Sequence, residues 1–352
     1  MTIADKIRSI LAIKDQIKAA ILAKGVAINN QTPYADYPAK IQAIASADPT
    51  LETAAYTVTA TDVKLTKVVL PSAAKTIQAY ALYNNSNIKE ITVQEGTTKL
   101  DGYALYQTPN AEKITLPTTL TFIGSYALSL NNQLLEATIP ANINLNNAQF
   151  LFANNTKMKK IDISACLLTT ATPTSFAESV RDLTQVLLPP SATTIGANSF
   201  SSCPNLKTFD FANILTIISG AFSSSGLTSI NAPKATSIGN GAFTNTPITH
   251  AILPKVTNIG INALSNCPSC KYIEIGSSIS IIGQGAISGS KLEAIVIKAT
   301  APPTIENDSF PSSGNYKIYV PDASVAAYKA VYNWMFFLNR ITPMSEFVMP
   351  VL

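Results

Sequence analysis

Charge is scarce in this chain. Asp, Glu, Lys and Arg make up 13% of its 352 residues, about half the usual share. Arginine is scarcer still, with Arg8, Arg181 and Arg340 alone. Phosphate recognition favours guanidinium forks and grouped cations. Here the net charge of +4 is spread along the chain, so nucleic acid is not an expected partner. His250 is the single histidine, and most acid–base and nucleophilic schemes would have to use it. Four cysteines in a chain of this length do not make a disulfide framework. No stretch approaches the ~18 apolar residues of a membrane span, so insertion into a bilayer is not expected. The first twenty residues lack the continuous apolar core of a secretory leader, because Asp5, Lys6, Arg8, Lys14, Asp15 and Lys18 interrupt it. The expectation is a soluble chain made in the cytoplasm without that export route. The length exceeds what one compact core usually needs, so two or three units are expected.

What is present is a period. A loosely apolar L-x-x-L-x-L motif recurs from Leu65-x-x-Val68-x-Leu70 through Ile88-x-x-Ile91-x-Val93 to Leu292-x-x-Ile295-x-Ile297. Alternation over its last three positions reads as a short strand with one face buried. A proline often follows, as at Pro117, Pro140, Pro189, Pro233 and Pro254. It lacks the N–H that a ladder requires and so ends the strand at a fixed point. A second anchor, a small residue then a large one, lies in the other half of each turn. The large members are Leu82, Leu105, Leu128, Phe152, Phe176, Phe200, Phe222, Phe243, Leu264, Ile287 and Phe310, and an aliphatic stands five residues before most of them. Asn147 and Ala171 break that slot, so residues 145–180 should be the least regular. One turn of about 23 residues loses roughly 1–2 kcal/mol of backbone entropy per residue. Its six or so apolar anchors return about 1.5–3 kcal/mol each. A single turn therefore cannot fold, and the array is stable only as an array. The predicted fold is a repeat solenoid of about eleven turns over 56–316, of the α/β leucine-rich-repeat type, with a short parallel β-sheet on one face.

The strand motif, the proline, the Ile-Gly pairs (Ile123-Gly124, Ile195-Gly196, Ile238-Gly239, Ile259-Gly260, Ile282-Gly283) and the Ala-Phe anchor come in a fixed order. In this they resemble the BspA-type leucine-rich repeats of bacterial surface proteins. The resemblance implies a right-handed solenoid and does not imply one function. At the N-terminus, residues 2–24 read as an amphipathic helix. Ile3, Ile7, Ile10, Ile17 and Ile21 follow heptad a/d spacing, with Lys14 in the missing slot. A second short helix is expected from about Tyr37 to Ile44, then a linker over 46–55. The seam predicts a homo-oligomer or docking on a larger partner; the other reading is an N-terminal cap folded back on the solenoid. The segment Ile28 to Ile44, with Lys24-Gly25-Val26 before it and Tyr34-Ala35-Asp36-Tyr37 inside, resembles a short N-terminal region of bacteriophage tail and fibre proteins. It implies that 1–45 anchors the chain to other virion proteins. Residues 317–352 read as a closing cap: a last strand, then a helix opened by Asp322 or Ser324.

Candidate chemistry is thin. Cys267-Pro-Ser-Cys270 has CxxC spacing, but Cys267 stands three after its anchor as Cys203 does, and Cys270 takes a buried strand-start slot. No second pair with zinc spacing exists, so no metal or cofactor is expected. His250 occupies an outward strand position beside Ser229 and Tyr272 of the neighbouring turns. Outward sheet residues Glu90, Lys113, Glu136 and Lys160 alternate in sign, and Thr92, Thr115 and Thr138 form a row. A tyrosine ladder is the better binding hint. Tyr80, Tyr103 and Tyr126 stand two before their anchors, and Tyr83 and Tyr106 one after. Aromatics with hydroxyl tips suit saccharide or protein contacts, although tyrosine at such slots also serves simply to cover a turn. The leading expectation is a non-enzymatic bacteriophage virion protein, a head or tail fibre or decoration arm, that binds host-surface glycan or protein. The alternatives are a bacterial surface adhesin of the BspA type and, from another class, a carbohydrate-active enzyme with a carboxylate pair in a cleft.

Overall fold

In the computed structural model the described residues are 66–350, except Pro71, Asn142, Thr169 and Thr170. The predicted helices of 1–45, the seam Ile3, Ile7, Ile10, Ile17 and Ile21, and the linker 46–55 lie outside them. The rest is a solenoid of parallel strands closed by a C-terminal cap. On one side the L-x-x-L-x-L segments pair in sequence order. They form three runs, Lys67–Leu70 to Lys113–Thr115, Glu136–Thr138 to Gln185–Leu187, and Ser229–Asn231 to Ile341–Pro343. Their register is the one the repeat demands, with Ile91 opposite Val68 and Ile114, and Ile273 opposite Ala251 and Ile295. Inward members of the strands are buried, Val186 only partly, and outward members largely are not, as in the exposed–buried alternation of Lys67–Leu70.

A second parallel ladder occupies another side of each turn. Its two-residue strands run from Thr76–Ile77 to Phe122–Ile123 and from Thr194–Ile195 to Thr304–Ile305. Between these runs only isolated bridges survive, at Phe122–Asn144, Asn144–Leu167 and Ala171–Thr194. This break falls in 145–180, where the aliphatic slot is interrupted in sequence. The Ile-Gly signature belongs to this ladder. A Cβ built on Gly124 would come within 2.4 Å of the Gly102 nitrogen of the preceding turn, so only glycine fits there.

The remaining side, where an α/β repeat would place a helix, holds turns instead. Each turn before the last, which has Asp308 without a partner four residues on, bends at two left-handed residues four apart, such as Tyr80 and Asn84, Tyr103 and Gln107, Asn198 and Ser202, and Gly285 and Gly289. Positive φ at that interval stops a helix from propagating. The N–H groups so released bond to the next turn: Leu82 to Ala104 (3.1 Å), Leu105 to Ala127 (3.0 Å) and Phe200 to Ala221 (2.8 Å). The anchor follows the first left-handed residue by two. In the turn bent at Ser175 and Ser179 that position is Ala177, and the Phe176 carbonyl accepts from Phe152 N–H. Phe176 is therefore not the anchor there, contrary to the spacing argument. Large and small have exchanged places, and both remain fully buried.

The core is one continuous column of apolar side chains from Val68 to Ile341. It contains a buried polar column three residues after the anchor. Asn131 Oδ1 accepts from Thr108 N–H (2.8 Å), and Asn155 Oδ1 from Asn131 N–H (2.7 Å). The last turn is covered by Tyr328, Trp334 and Phe310. Tyr328 Oη donates to the Ala299 carbonyl (2.9 Å) and Trp334 Nε1 to that of Pro303 (3.0 Å). The cap helix is Val325–Ala330, preceded by a 3-10 turn, and neither Asp322 nor Ser324 caps it with its side chain. Asp322 instead accepts from Ser345 N–H (3.0 Å), and hydrogen bonds from the Ser345 side chain and then its backbone hold its carboxyl below the usual range.

Candidate functional site

The left-handed corner carries the molecule's most distinctive surface. Its first position is filled by Tyr80, Tyr103, Tyr126 and Phe150 in four successive turns, at φ between 54° and 63°. Later turns place Asn198, Gly220, Gly241, Asn262 and Gly285 there, residues suited to that backbone. A bulky side chain at positive φ costs about 1–3 kcal/mol. The rings recover part of this by stacking on one another. Tyr80 and Tyr103 lie 5.0 Å apart, Tyr103 and Tyr126 4.6 Å, and Tyr126 and Phe150 4.4 Å, all within 16° of parallel. Such a contact contributes about 0.5–1.5 kcal/mol beyond the area it buries, which offsets part of the backbone cost.

Tyr83 and Tyr106 form the second stripe, 5.8 Å apart and nearly parallel. The stripes meet edge to face, Tyr80 with Tyr83 (5.5 Å) and Tyr103 with Tyr106 (5.2 Å). The structure thus brings all five sequence-selected tyrosines into one surface. Tyr80 and Tyr83 are about half exposed, and burial beside neighbouring hydroxyls raises the pKa of Tyr106 and Tyr126. Phe150 was missed in the sequence. Its signal was its place two before Phe152, the same offset as Tyr126 from Leu128.

Other candidates resolve into structure. Cys203 and Cys267 belong to the buried polar column, their thiols donating to the carbonyls of Ala177 (3.2 Å) and Phe243 (3.3 Å). Cys270 is fully buried in its strand-start slot. Burial raises the thiols of Cys203 and Cys270 to about 12 and also raises that of Cys267, so none is a thiolate at neutral pH. Among the described residues no cluster of His, Cys, Asp and Glu suits a metal ion, and no helix is long and apolar enough to cross a membrane. His250 pairs in register with Ser229 and Tyr272, its Nδ1 3.0 Å from Thr249 Oγ1. Tyr272 donates to Glu274 (2.8 Å), which also binds Lys298, and lies under Phe347 of the cap. On the sheet face Lys67 and Glu90 form an exposed ion pair at 3.0 Å, of small energetic weight.

Comparison with known proteins agrees with this architecture. A leucine-rich repeat protein from Bacteroides ovatus superposes with a TM-score of 0.51 at 17% identity, over 73% of this chain and 87% of that one. That likeness is one of fold. A leucine-rich cell surface protein from Faecalibacterium prausnitzii gives 0.46 at 17% identity, over 74% and 82%. The pneumococcal vaccine antigen PcpA gives 0.39 at 11%, over 79% and 87%. A comparison with curated proteins gives no match. The signature of the BspA-type leucine-rich repeat region matches residues 56–180, 148–246, 193–317 and 236–339, most of the chain. The chain belongs to the BspA-type leucine-rich repeat family.

Proposed function

We propose that the protein is a non-enzymatic, adhesin-like binding arm displayed at a bacterial surface, with its contact on the turn face. The aromatic ladder carries this reading. Four rings are held on backbone that disfavours them, and the side they occupy presents edges and hydroxyl tips to solvent. Family membership supports it, since repeats of this type are those of bacterial surface proteins. Protonated, buried thiols supply no nucleophile. The partner is a surface protein or glycan, and no cofactor takes part. A virion arm is the second reading. It rests on the resemblance of Ile28 to Ile44 to phage tail and fibre proteins, and the family supports it less well than the surface reading. The test uses fluorescently labelled full-length protein on intact bacterial and animal cells. Wild type should bind, and the triple variant Tyr80→Asn/Tyr103→Asn/Tyr126→Asn should lose most of that binding. Equal binding by both proteins would remove the ladder from the function.

A further inference from the structure

The C-terminal cap has two sides. The inner side closes the last turn through Tyr328 and Trp334. The outer side lacks what a terminal unit of a repeat array needs, a polar surface that keeps the end in solution. Tyr332–Phe337 is a 3-10 helix, so residues three apart share a side. Trp334 and Phe337 pack inward on the core. Tyr332 and Met335 share another side, 74% and 51% exposed. On the third, Asn333 bends back to donate its amide to the Ile305 carbonyl (2.9 Å) and leaves Phe336 78% exposed. The Tyr332 and Phe336 rings meet edge to face at 6.5 Å, so these side chains form one patch. Val331 and three alanines of the preceding helical segment are exposed beside them. Lys329 is the one charged residue between Val325 and Leu338. The chain that follows does not cover the patch, and its own Val348 and Met349 are exposed.

We propose that this end face is a self-association surface, on which a second copy of the chain docks cap to cap about a two-fold axis. The area sets the strength. An aromatic side chain offers roughly 150–250 Å², so Val331, Tyr332, Met335 and Phe336 expose on the order of 400–500 Å². A contiguous apolar patch of that size marks an interaction site. Two such faces together bury roughly 1,000 Å², the lower bound of a specific association, so the dimer is weak and forms where chains are concentrated. The composition selects the partner. A face with one charge carries no pattern that would pick out a charged protein, whereas an isologous contact needs only a patch that matches itself. Aromatic rings do this edge to face, and the long stem of Lys329 keeps its ammonium in water. The patch lies at the end of the solenoid, so two copies meet without collision of their turns. The contact is separate from the isoleucine seam read in residues 2–24, which joins the array at its opposite end. It goes beyond the binding-arm reading and does not depend on it. If that reading holds, the dimer presents two tyrosine ladders, both on turns remote from the contact.

The experiment begins with sedimentation of the full-length chain from about 1 to 300 μM, which should show association that rises with concentration. Tyr332→Ser/Phe336→Ser should weaken it about tenfold or more. Both side chains are solvent-exposed in the single chain, so the melting temperature of dilute protein should not change. Lys329→Cys then locates the contact. The four native cysteines are buried, so residue 329 supplies the one exposed thiol. A short thiol–thiol cross-linker should join two copies of Lys329→Cys, and should fail when Tyr332→Ser/Phe336→Ser is added. The proposal is overturned by a chain that stays monomeric throughout, by undiminished association of the double variant, or by absence of the cross-link. Association that needs the two aromatics but gives no cross-link would place another segment, such as residues 2–24 of a second copy, on the cap. Binding to phosphatidylcholine vesicles in place of self-association would make the patch a lipid contact. Either result also overturns the cap-to-cap dimer.

Discussion

The left-handed corner shows how one backbone position sorts side chains. Asn198 has φ of 53° and is exposed, and its counterparts two and four turns away are Gly241 and Gly285. Asn198→Gly should therefore change stability by less than about 0.5 kcal/mol, whereas Asn198→Ala should cost about 1 kcal/mol. Urea denaturation of the two variants checks this; equal effects would contradict the assignment of the slot. The cysteines supply a pH test. Burial raises Cys203 and Cys270 from the ordinary 9.0 to about 12. Because the folded value exceeds the unfolded one, their contribution is complete below about pH 9 and is lost as pH rises toward 12. Stability should fall across that window, and Cys203→Ser should fall less steeply. Cys267→Ser should be nearly neutral, since Ser225 and Thr246 fill the same buried column. Cys270→Ser should cost more, in a slot filled by Ile248 and Leu292 in the adjoining turns.

At the scale of elements, the strand side was legible because its signal is local: apolar alternation gives direction and register, and proline marks the end. The second ladder was not read as strand because two residues are too short for a period. Its trace was the lone aliphatic before Gly. The backbone of the turn side was less legible for a related reason. Small-large pairs at a 23-residue repeat fix a buried column, yet they do not say whether the backbone around it is helical. That depended on Tyr, Asn, Ser and Gly at positive φ, and tyrosine gives no such warning. The same ambiguity hid the exchange of Phe176 and Ala177. The anchors themselves are testable. Phe222 stacks between Phe200 (5.5 Å) and Phe243 (5.4 Å) with no solvent exposure. Phe222→Ala should destabilise by about 3–5 kcal/mol, read as lost amide-exchange protection in its own turn and both neighbours. Near-neutral behaviour would break the register.

Across the whole molecule, stability is a sum over neighbouring turns with special terms at the ends. The C-terminal term is visible in Tyr328, Trp334 and Phe310, and Trp334→Ala should make amide protection fray from the last turns inward. For the other end, removal of residues 1–45 should leave the repeats folded, because the first strand motif begins at Leu65. It should also abolish self-association in sedimentation if the Ile3, Ile7, Ile10, Ile17 and Ile21 seam forms the contact. Unfolding of the truncated solenoid would make that segment a cap. The tyrosine columns were legible from spacing alone, since an offset from a repeating anchor fixes a column without any knowledge of its backbone. That the rings stack and end at Phe150 follows from three-dimensional placement of residues more than twenty apart.

The central claim is that the ladder is kept for recognition and not for stability. It is tested most directly by the thermal and urea unfolding of Tyr80→Asn/Tyr103→Asn/Tyr126→Asn beside wild type. Asparagine relieves the left-handed strain while three partly exposed rings and their stacking are lost. The account predicts a net change within about 2 kcal/mol, a shift of a few degrees in Tm. A loss on the scale of a buried core phenylalanine, about 3–5 kcal/mol per site, would show that the rings hold the turns together and would contradict it.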